Sequence, residues 1–251
     1  MNLLAVSDLH LSAGSGERNA LFIEFLQDAL SAGDEVLIIG DLFDLWFGRE
    51  ALIFPFQRSI VARMKELASE GLQIDYVEGN RDFFLSRYSG SVFRTVSSGG
   101  FHRDWGSRRL YAEHGDWINT DDKQYRLFKR ATKNRLSAFL MDHLPAGFLM
   151  KQAEAVERKM KSTNMKYRTG YPERHCRRFA EKKGRAGADL VIIGHFHEEK
   201  MWEMQMPDRT VLFYNLPGWE NGFRYLVIPE SSQKPYFKDK ERKDHGDIAA
   251  S

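Results

Sequence analysis

Apolar positions fall into two rhythms along this chain. The first is a short run dominated by apolar residues: residues 3–7, Val36–Ile39, Leu72–Val77, Arg109–Glu113 and Asp189–Ile193. Such runs are too short for helices and read as buried strands. The second is helical spacing. Arg18–Ala32 places Leu21, Phe22, Phe25, Leu26, Ala29 and Leu30 on one face, and Gly33 closes it. Phe56–Ser69 does the same with Ile60, Val61, Met64, Leu67 and Ala68, and Gly71 stops it. Strand alternating with helix predicts βαβ units, an α/β fold and a largely parallel central sheet.

Past Phe83 the pattern loosens. Val92–Val96 and Gly100–His102 read as short strands. From Asp121 to about Arg185 helical spacing dominates, with an apolar stretch Leu136–Met150 broken at Pro145. Met201–Met206, Val211–Tyr214 and Phe223–Ile228 read as closing strands. Residues 1–230 are expected to form a single domain with a helical basic insert at about 122–185, and 231–251 a polar, mobile tail.

Composition adds limits. Apolar residues make up 42% and charged residues 29% of 251, a soluble globular balance. No apolar run approaches the roughly 18–20 residues of a transmembrane helix. Met1–Asp8 has no basic region ahead of its apolar run, so it reads as a strand rather than a signal peptide. Cys176 is the only cysteine, which excludes an intrachain disulfide and fits the cytoplasm. It is flanked by Arg174, His175, Arg177 and Arg178 and reads as a bystander.

Charge is unevenly placed. Lys123–Arg185 holds 18 Lys and Arg against 5 Asp and Glu, a net of +13, so a whole-chain charge of +2 leaves −11 elsewhere. The basic segment suits phosphate, nucleic acid or an anionic membrane; the acidic remainder suits cations. The long apolar runs fit a greasy ligand better than interleaved stacking aromatics, so nucleic acid is not the expected partner.

The chemistry lies at the strand ends. They deliver Asp8 and His10, Asp41, Asn80, His114, and His195 with His197. Ligands of open α/β sheets collect at these carboxyl ends. Oxygen and imidazole donors without thiolate suit Mn²⁺, Fe²⁺, Co²⁺ or Zn²⁺. Seven donors exceed one tetrahedral ion and suit two ions sharing a carboxylate. Any one of these residues alone reads as a turn, cap or surface position; the joint pattern carries the inference. Asp44, Asp82, Asp104 and Asp116 read equally as orienting neighbours or solvated carboxylates.

Asp8-x-His10, Gly40-Asp41-x-x-Asp44, Gly79-Asn80-Arg81-Asp82, His114 and Gly194-His195-x-His197, in this order, resemble the calcineurin-like metallophosphoesterases. The resemblance implies two packed mixed β-sheets flanked by helices, an αββα sandwich, with the helical insert as a lid. It implies that Asp8, His10, Asp41 and His197 hold one ion and Asp41, Asn80, His114 and His195 the other, Asp41 bridging. Asp41 and Arg81 are then the catalytic residues, and Mn²⁺ the expected metal.

Gly40–Trp46, Gly79–Phe83, His114-Gly115-Asp116 with Thr120-Asp121-Asp122 and Tyr125, and Leu212–Trp219 are similar to one branch of that family. These are the UDP-2,3-diacylglucosamine hydrolases of lipid A synthesis. The branch implies cleavage of a pyrophosphate bond in a lipid-linked nucleotide sugar, giving UMP and the acylated sugar 1-phosphate. It implies substrate contacts from Asn80, Arg81, Asp122, Tyr125, Ser162, Asn164, Lys166 and His195. It also implies a cytoplasmic protein in peripheral contact with the anionic inner membrane of a Gram-negative-type bacterium, with no obligate protein partner. Asp44 stands where the branch often has Glu, and Met160–Tyr171 follows it loosely. A paralogue acting on another phosphodiester, a nucleotide or nucleic acid is the alternative; a metal-poor scaffold is the non-enzymatic one.

Arg81 bears on the substrate. Many members of the wider family carry His there, which can protonate an alkoxide. A guanidinium cannot, because its pKa exceeds about 12. It can grip a phosphate through two parallel N–H bonds. A leaving group that needs no proton, such as a phosphate monoester with second pKa near ~6, fits Arg81.

Overall fold

The computed structural model describes residues 1–121, 123–151 and 170–241, without the side chains of 123–126, 128 and 221. Among the described residues, thirteen strands run in chain order: β1 Asn2–Val6, β2 Glu35–Ile39, β3 Trp46–Phe47, β4 Ile74–Val77, β5 Asp82–Phe83, β6 Thr95–Ser97 and β7 Phe101–Trp105. Then come β8 Arg108–Glu113, β9 Leu190–Ile193, β10 Lys200–Gln205, β11 Thr210–Asn215, β12 Arg224–Pro229 and β13 Tyr236–Asp239. The helices are α1 Gly16–Ala32, α2 Pro55–Ser69, α3 Lys123–Thr132, α4 Arg135–His143 and, after the undescribed stretch, α5 Glu173–Arg185.

One sheet has the order β13-β12-β1-β2-β4-β6 and the other β10-β11-β9-β8-β7. The central pairs are parallel, as the βαβ pattern predicts. Antiparallel edges make both sheets mixed. A two-stranded ribbon, β3 with β5, was not legible as strand because it lies inside the Gly40 and Gly79 motifs.

Strand alternation explains the layers. Leu3, Ala5, Leu37 and Ile39 face Leu110, Ala112, Leu190 and Ile192 of the second sheet. Their neighbours Leu4, Val6, Val36 and Ile38 face Phe22, Phe25, Ile60 and Met64 of α1 and α2. Val191 and Ile193 face outward onto Cys176 and Ala180 of α5. A strand buried on both faces reads as a near-continuous apolar run, as β1, β2 and β9 do; β4 admits Asp75 because Arg94 and Arg103 pair with it. The arrangement is helix, sheet, sheet, helix.

Three expectations change. Thr95–Ser97 is the only strand in Val92–Val96 and its surroundings, because a turn through Gly90 (φ +76°) takes the preceding residues. Val92 and Phe93 still pack in the core. Residues 173–185, read as the end of the insert, form an outer helix of the sandwich, since Cys176 and Ala180 sit four apart on its apolar face. The tail read as mobile from 231 returns as β13, which closes the first sheet on β12 through Asp239. Its alternation is weak in sequence because an edge strand needs only one partner. Residues 242–251 lie outside the described ones.

Candidate metal centre

The carboxyl ends of β1, β2, β4, β8 and β9 point to one place. Past β1 and β2 the chains stay paired: Asp8 N–H donates to the Gly40 carbonyl and His10 N–H to the Asp41 carbonyl, both at 3.1 Å. Gly40 has φ +78°, and a Cβ there would meet Gly79 Cα at 2.5 Å and His114 Nδ1 at 2.6 Å. Only glycine lets the motif loops approach this closely.

Asp8, His10, Asp41, His195 and His197 have φ between +47° and +71°. They are five of the seven non-glycine residues in the left-handed region among the described residues. Such backbone costs about 1–3 kcal/mol per residue and persists where surroundings over-determine it. Here it helps aim Asp8, His10, Asp41, His195 and His197 at one place.

All seven expected donors come together. Asp8, Asp41 and His114 offer ligand atoms within 4.8 Å of one another, and so do Asp8, His10 and His197. His114 Nε2 lies 3.6 Å from Asp41 Oδ2. Asn80 Oδ1 sits 2.9 Å from both His114 Nε2 and His195 Nδ1. His114 Nδ1 is 2.9 Å from the Ile39 carbonyl, which can only accept, so this nitrogen carries the proton. A neutral His114 therefore aims a lone pair at Asn80 Oδ1. Two facing acceptors are reconciled by a second ring proton, by an Asn80 amide turned to present its NH₂, or by a shared cation.

Asp8 gives the sharper test of metal fit. It is fully buried. Its Oδ2 accepts from the His195 backbone N–H at 2.7 Å, and the Ser7 hydroxyl lies against it. Its Oδ1 has no hydrogen-bond donor among the described residues. Instead His197 Nε2 stands 3.3 Å away, and His10 Nε2 and His114 Nε2 each 3.9 Å. A buried carboxylate oxygen left without a donor is costly, and one ringed by imidazole nitrogens fits a divalent cation.

The buried charges act strongly on one another. Burial works against the Asp8 charge, yet the rings of His114, His197 and His10 hold its carboxyl far below the usual range. Burial and the neighbouring His114 push His195 down to about 4. For His197, burial is outweighed by Asp8 and Glu220, and it is pushed up to about 10.

Neighbouring residues orient the donors. Asp82 Oδ2 accepts from the backbone of Asp41 and Gly79, each at 2.8 Å, and from the Tyr76 hydroxyl at 2.9 Å. Burial and the Asp41 charge push Asp82 up to about 7. Asp44 Oδ1 lies 3.3 Å from His10 Nδ1. Asp116 pairs with the buried ammonium of Lys129 on α3. Burial opposes its charge, but Lys129, His114 and His195 hold it below the carboxylate range. Asp104 is exposed on β7, and orients nothing here.

Arg81 is 6% exposed; its backbone N–H donates to Asp41 Oδ1 at 2.8 Å and its guanidinium reaches the Asp44 carbonyl at 3.4 Å. Asp122, Ser162, Asn164 and Lys166 lie outside the described residues, and so does the Tyr125 side chain. Sequence reasoning missed Glu220, whose Oε1 is 2.9 Å from His197 Nδ1. Its only signal was proximity to the Gly218-Trp219 turn, where a Cβ on Gly218 would meet His197 Nδ1 at 2.8 Å.

Residues 1–199 match the family described as calcineurin-like phosphoesterase, and the chain belongs to that family. It is a metal-dependent hydrolase built on the metallophosphoesterase fold. Curated relatives carry a narrower name. The UDP-2,3-diacylglucosamine hydrolase of Tolumonas auensis is 29% identical over 241 residues, covering 92% of this chain and 94% of its own. That of Haemophilus influenzae is 28% identical over 244 residues, covering 93% and 98%. Among solved structures, an archaeal phosphodiesterase is a distant likeness, with TM-score 0.47 and 13% identity over 95% of this chain and 99% of its own.

Proposed function

We propose that the chain hydrolyses the pyrophosphate bond of UDP-2,3-diacylglucosamine, releasing UMP and 2,3-diacylglucosamine 1-phosphate. One observation carries the substrate class. Beside the donor cluster, α4 turns Leu136, Phe139 and Leu140 to solvent at 65%, 57% and 41% exposure. The insert is tied to the site, since the Lys133 ammonium donates to the Gly79 carbonyl. A contiguous apolar face in such a place suits acyl chains. The relatives' names support the same reading.

Asp8, His10, Asp41 and His197 would hold one divalent ion, and Asp41, Asn80, His114 and His195 a second, with Mn²⁺ the proposed metal. When bound, such ions polarise a phosphoryl group and lower the pKa of a coordinated water. The protein's own residues do the rest. Asp82 and the Ile39 carbonyl fix the Asp41 loop and the His114 tautomer before substrate arrives. Arg81, held by its backbone on Asp41 Oδ1, presents a permanent positive charge to the phosphoryl oxygens. It donates no proton, and the leaving phosphate monoester needs none.

In this reading the enzyme works at the cytoplasmic side of the inner membrane, where exposed α4 and nearby cations meet anionic lipid. No described helix is long and apolar enough to cross a bilayer. The test is UMP release from UDP-2,3-diacylglucosamine by the purified protein in Mn²⁺. Absence of UMP, or cleavage of a cyclic nucleotide, RNA or single-stranded DNA at comparable rates, would overturn the assignment.

A further inference from the structure

Helix α4 is fastened to the body at its C-terminal end by residues that the chemistry above does not use. The last carbonyls of a helix lack intrahelical donors. Here Arg49 supplies them: its Nη1 donates to the Met141 carbonyl at 2.8 Å and to the Leu144 carbonyl at 2.6 Å. A cation at this end also matches the helix dipole. Around that cap, Met141 packs against the Leu45–Phe83 cluster, as Phe47 and Phe84 do. The Arg87 guanidinium pairs with Asp142.

Where Arg49 comes from matters. It lies two residues past β3, and β3 pairs with β5 at Trp46–Asp82 and Phe47–Phe83. Between them Gly48 N–H donates to the Phe83 carbonyl at 2.8 Å. A side chain at Gly48 would collide with the Phe84 carbonyl. The ribbon that carries Arg49 is thus continuous with Arg81-Asp82 on one strand and with Asp41–Asp44 on the other. The cap joins α4 to the two loops that bear the central donors.

We propose that Arg49 is a positioning residue that latches α4, and so its exposed apolar face, to the β3–β5 ribbon beside the metal centre. The latch sets where a long apolar substituent lies relative to the phosphate-handling residues. A small phosphodiester, which never reaches α4, does not depend on it. Arg49 touches neither substrate nor metal in this scheme. The inference about turnover rests on the proposed lipid substrate; the structural part does not.

The experiment compares Arg49→Ala, Arg49→Lys and the parent protein, all loaded with Mn²⁺. The first readout is amide hydrogen exchange. In Arg49→Ala, amides of Arg135–His143 exchange about tenfold faster, the scale of one lost charged hydrogen-bonded cap, while those of β1 and β2 keep their protection. In Arg49→Lys, whose ammonium can still bridge two carbonyls, most of that protection returns. The second readout is turnover. Arg49→Ala raises KM for UDP-2,3-diacylglucosamine about tenfold with little change in kcat, and hydrolysis of bis(p-nitrophenyl) phosphate is unchanged. Unchanged exchange in α4 overturns the latch, as does an equal loss on both substrates. If the parent protein leaves UDP-2,3-diacylglucosamine intact, the substrate assignment fails, and the exchange comparison still decides the latch.

Discussion

Asp8, Asp41 and His114 are 0%, 2% and 1% exposed, whereas Leu136, Phe139 and Phe148 of the insert are 65%, 57% and 52% exposed. Charged groups are inside and greasy ones outside, within one structure and on adjoining segments. The strand ends can bury charge because carboxylates and imidazoles are turned toward one another and braced by backbone. The insert can expose grease because its seat is made by Lys129, Lys133 and the cap at Arg49 rather than by its own apolar face. Both arrangements are unfavourable without a ligand. They differ in the ligand each suits: divalent cations at the strand ends and, in the proposed reading, acyl chains at α4.

The largest effect is expected where the buried charge is removed. Asp41→Ala should lower turnover of bis(p-nitrophenyl) phosphate by about 10³-fold or more, the scale of several kcal/mol of lost transition-state stabilisation. Elemental analysis should show less metal at both positions. Normal metal content with normal turnover would break the bridging assignment.

Next comes the seam between the two regions. Lys129→Met strips the cation from Asp116, a carboxylate 3% exposed. Urea unfolding should register a loss of about 3–5 kcal/mol, typical when one partner of a buried ion pair is removed. A change below 1 kcal/mol would mean the insert's root is not held by this pair.

A smaller effect is expected at the rim of the centre. Glu220→Gln keeps the size and loses the charge that faces His197. Metal titration should give about 10–100-fold weaker binding, the usual cost of losing such a support. Equal affinity would show that His197 is oriented by the Gly218-Trp219 turn alone.

The smallest change in the fold, and the most selective in function, belongs to the insert. Leu136→Ser should leave unfolding free energy within about 0.5 kcal/mol, as exposed positions do. Affinity for the acylated substrate should fall about tenfold, the worth of one apolar side chain kept from burial. Equal affinity would detach the α4 face from the substrate and leave its exposure without a role.

Much of this was legible beforehand, for physical reasons that differ by element. β1, β2 and β9 were readable because burial on both faces demands a near-continuous apolar run, and β4 in spite of Asp75 within it. Helices α1 and α2 were readable because each buries one stripe and ends on glycine. β3 and β5 were hidden inside motifs, being two residues long and held by each other rather than by a pattern. β13 was hidden because an edge strand of sequence Tyr-Phe-Lys-Asp carries little alternation. The seven donors were readable through their position after strands. Glu220 was not, because it faces His197 across 23 residues of chain and stands in no donor motif.

By itself the sequence determined the order of the buried central strands and of α1 and α2, the donor types, and the placement of each donor at a strand end. These follow from local periodicity and side-chain chemistry. Only the tertiary structure decided that five of those donors sit in left-handed backbone and that Asp8 Oδ1 faces three imidazoles. It alone placed Arg49 on the end of α4. Those facts depend on partners as distant as His195 N–H and Asp8, 187 residues apart. No local pattern encodes such a pairing, because its geometry exists only once two sheets have packed and brought their strand ends to one edge.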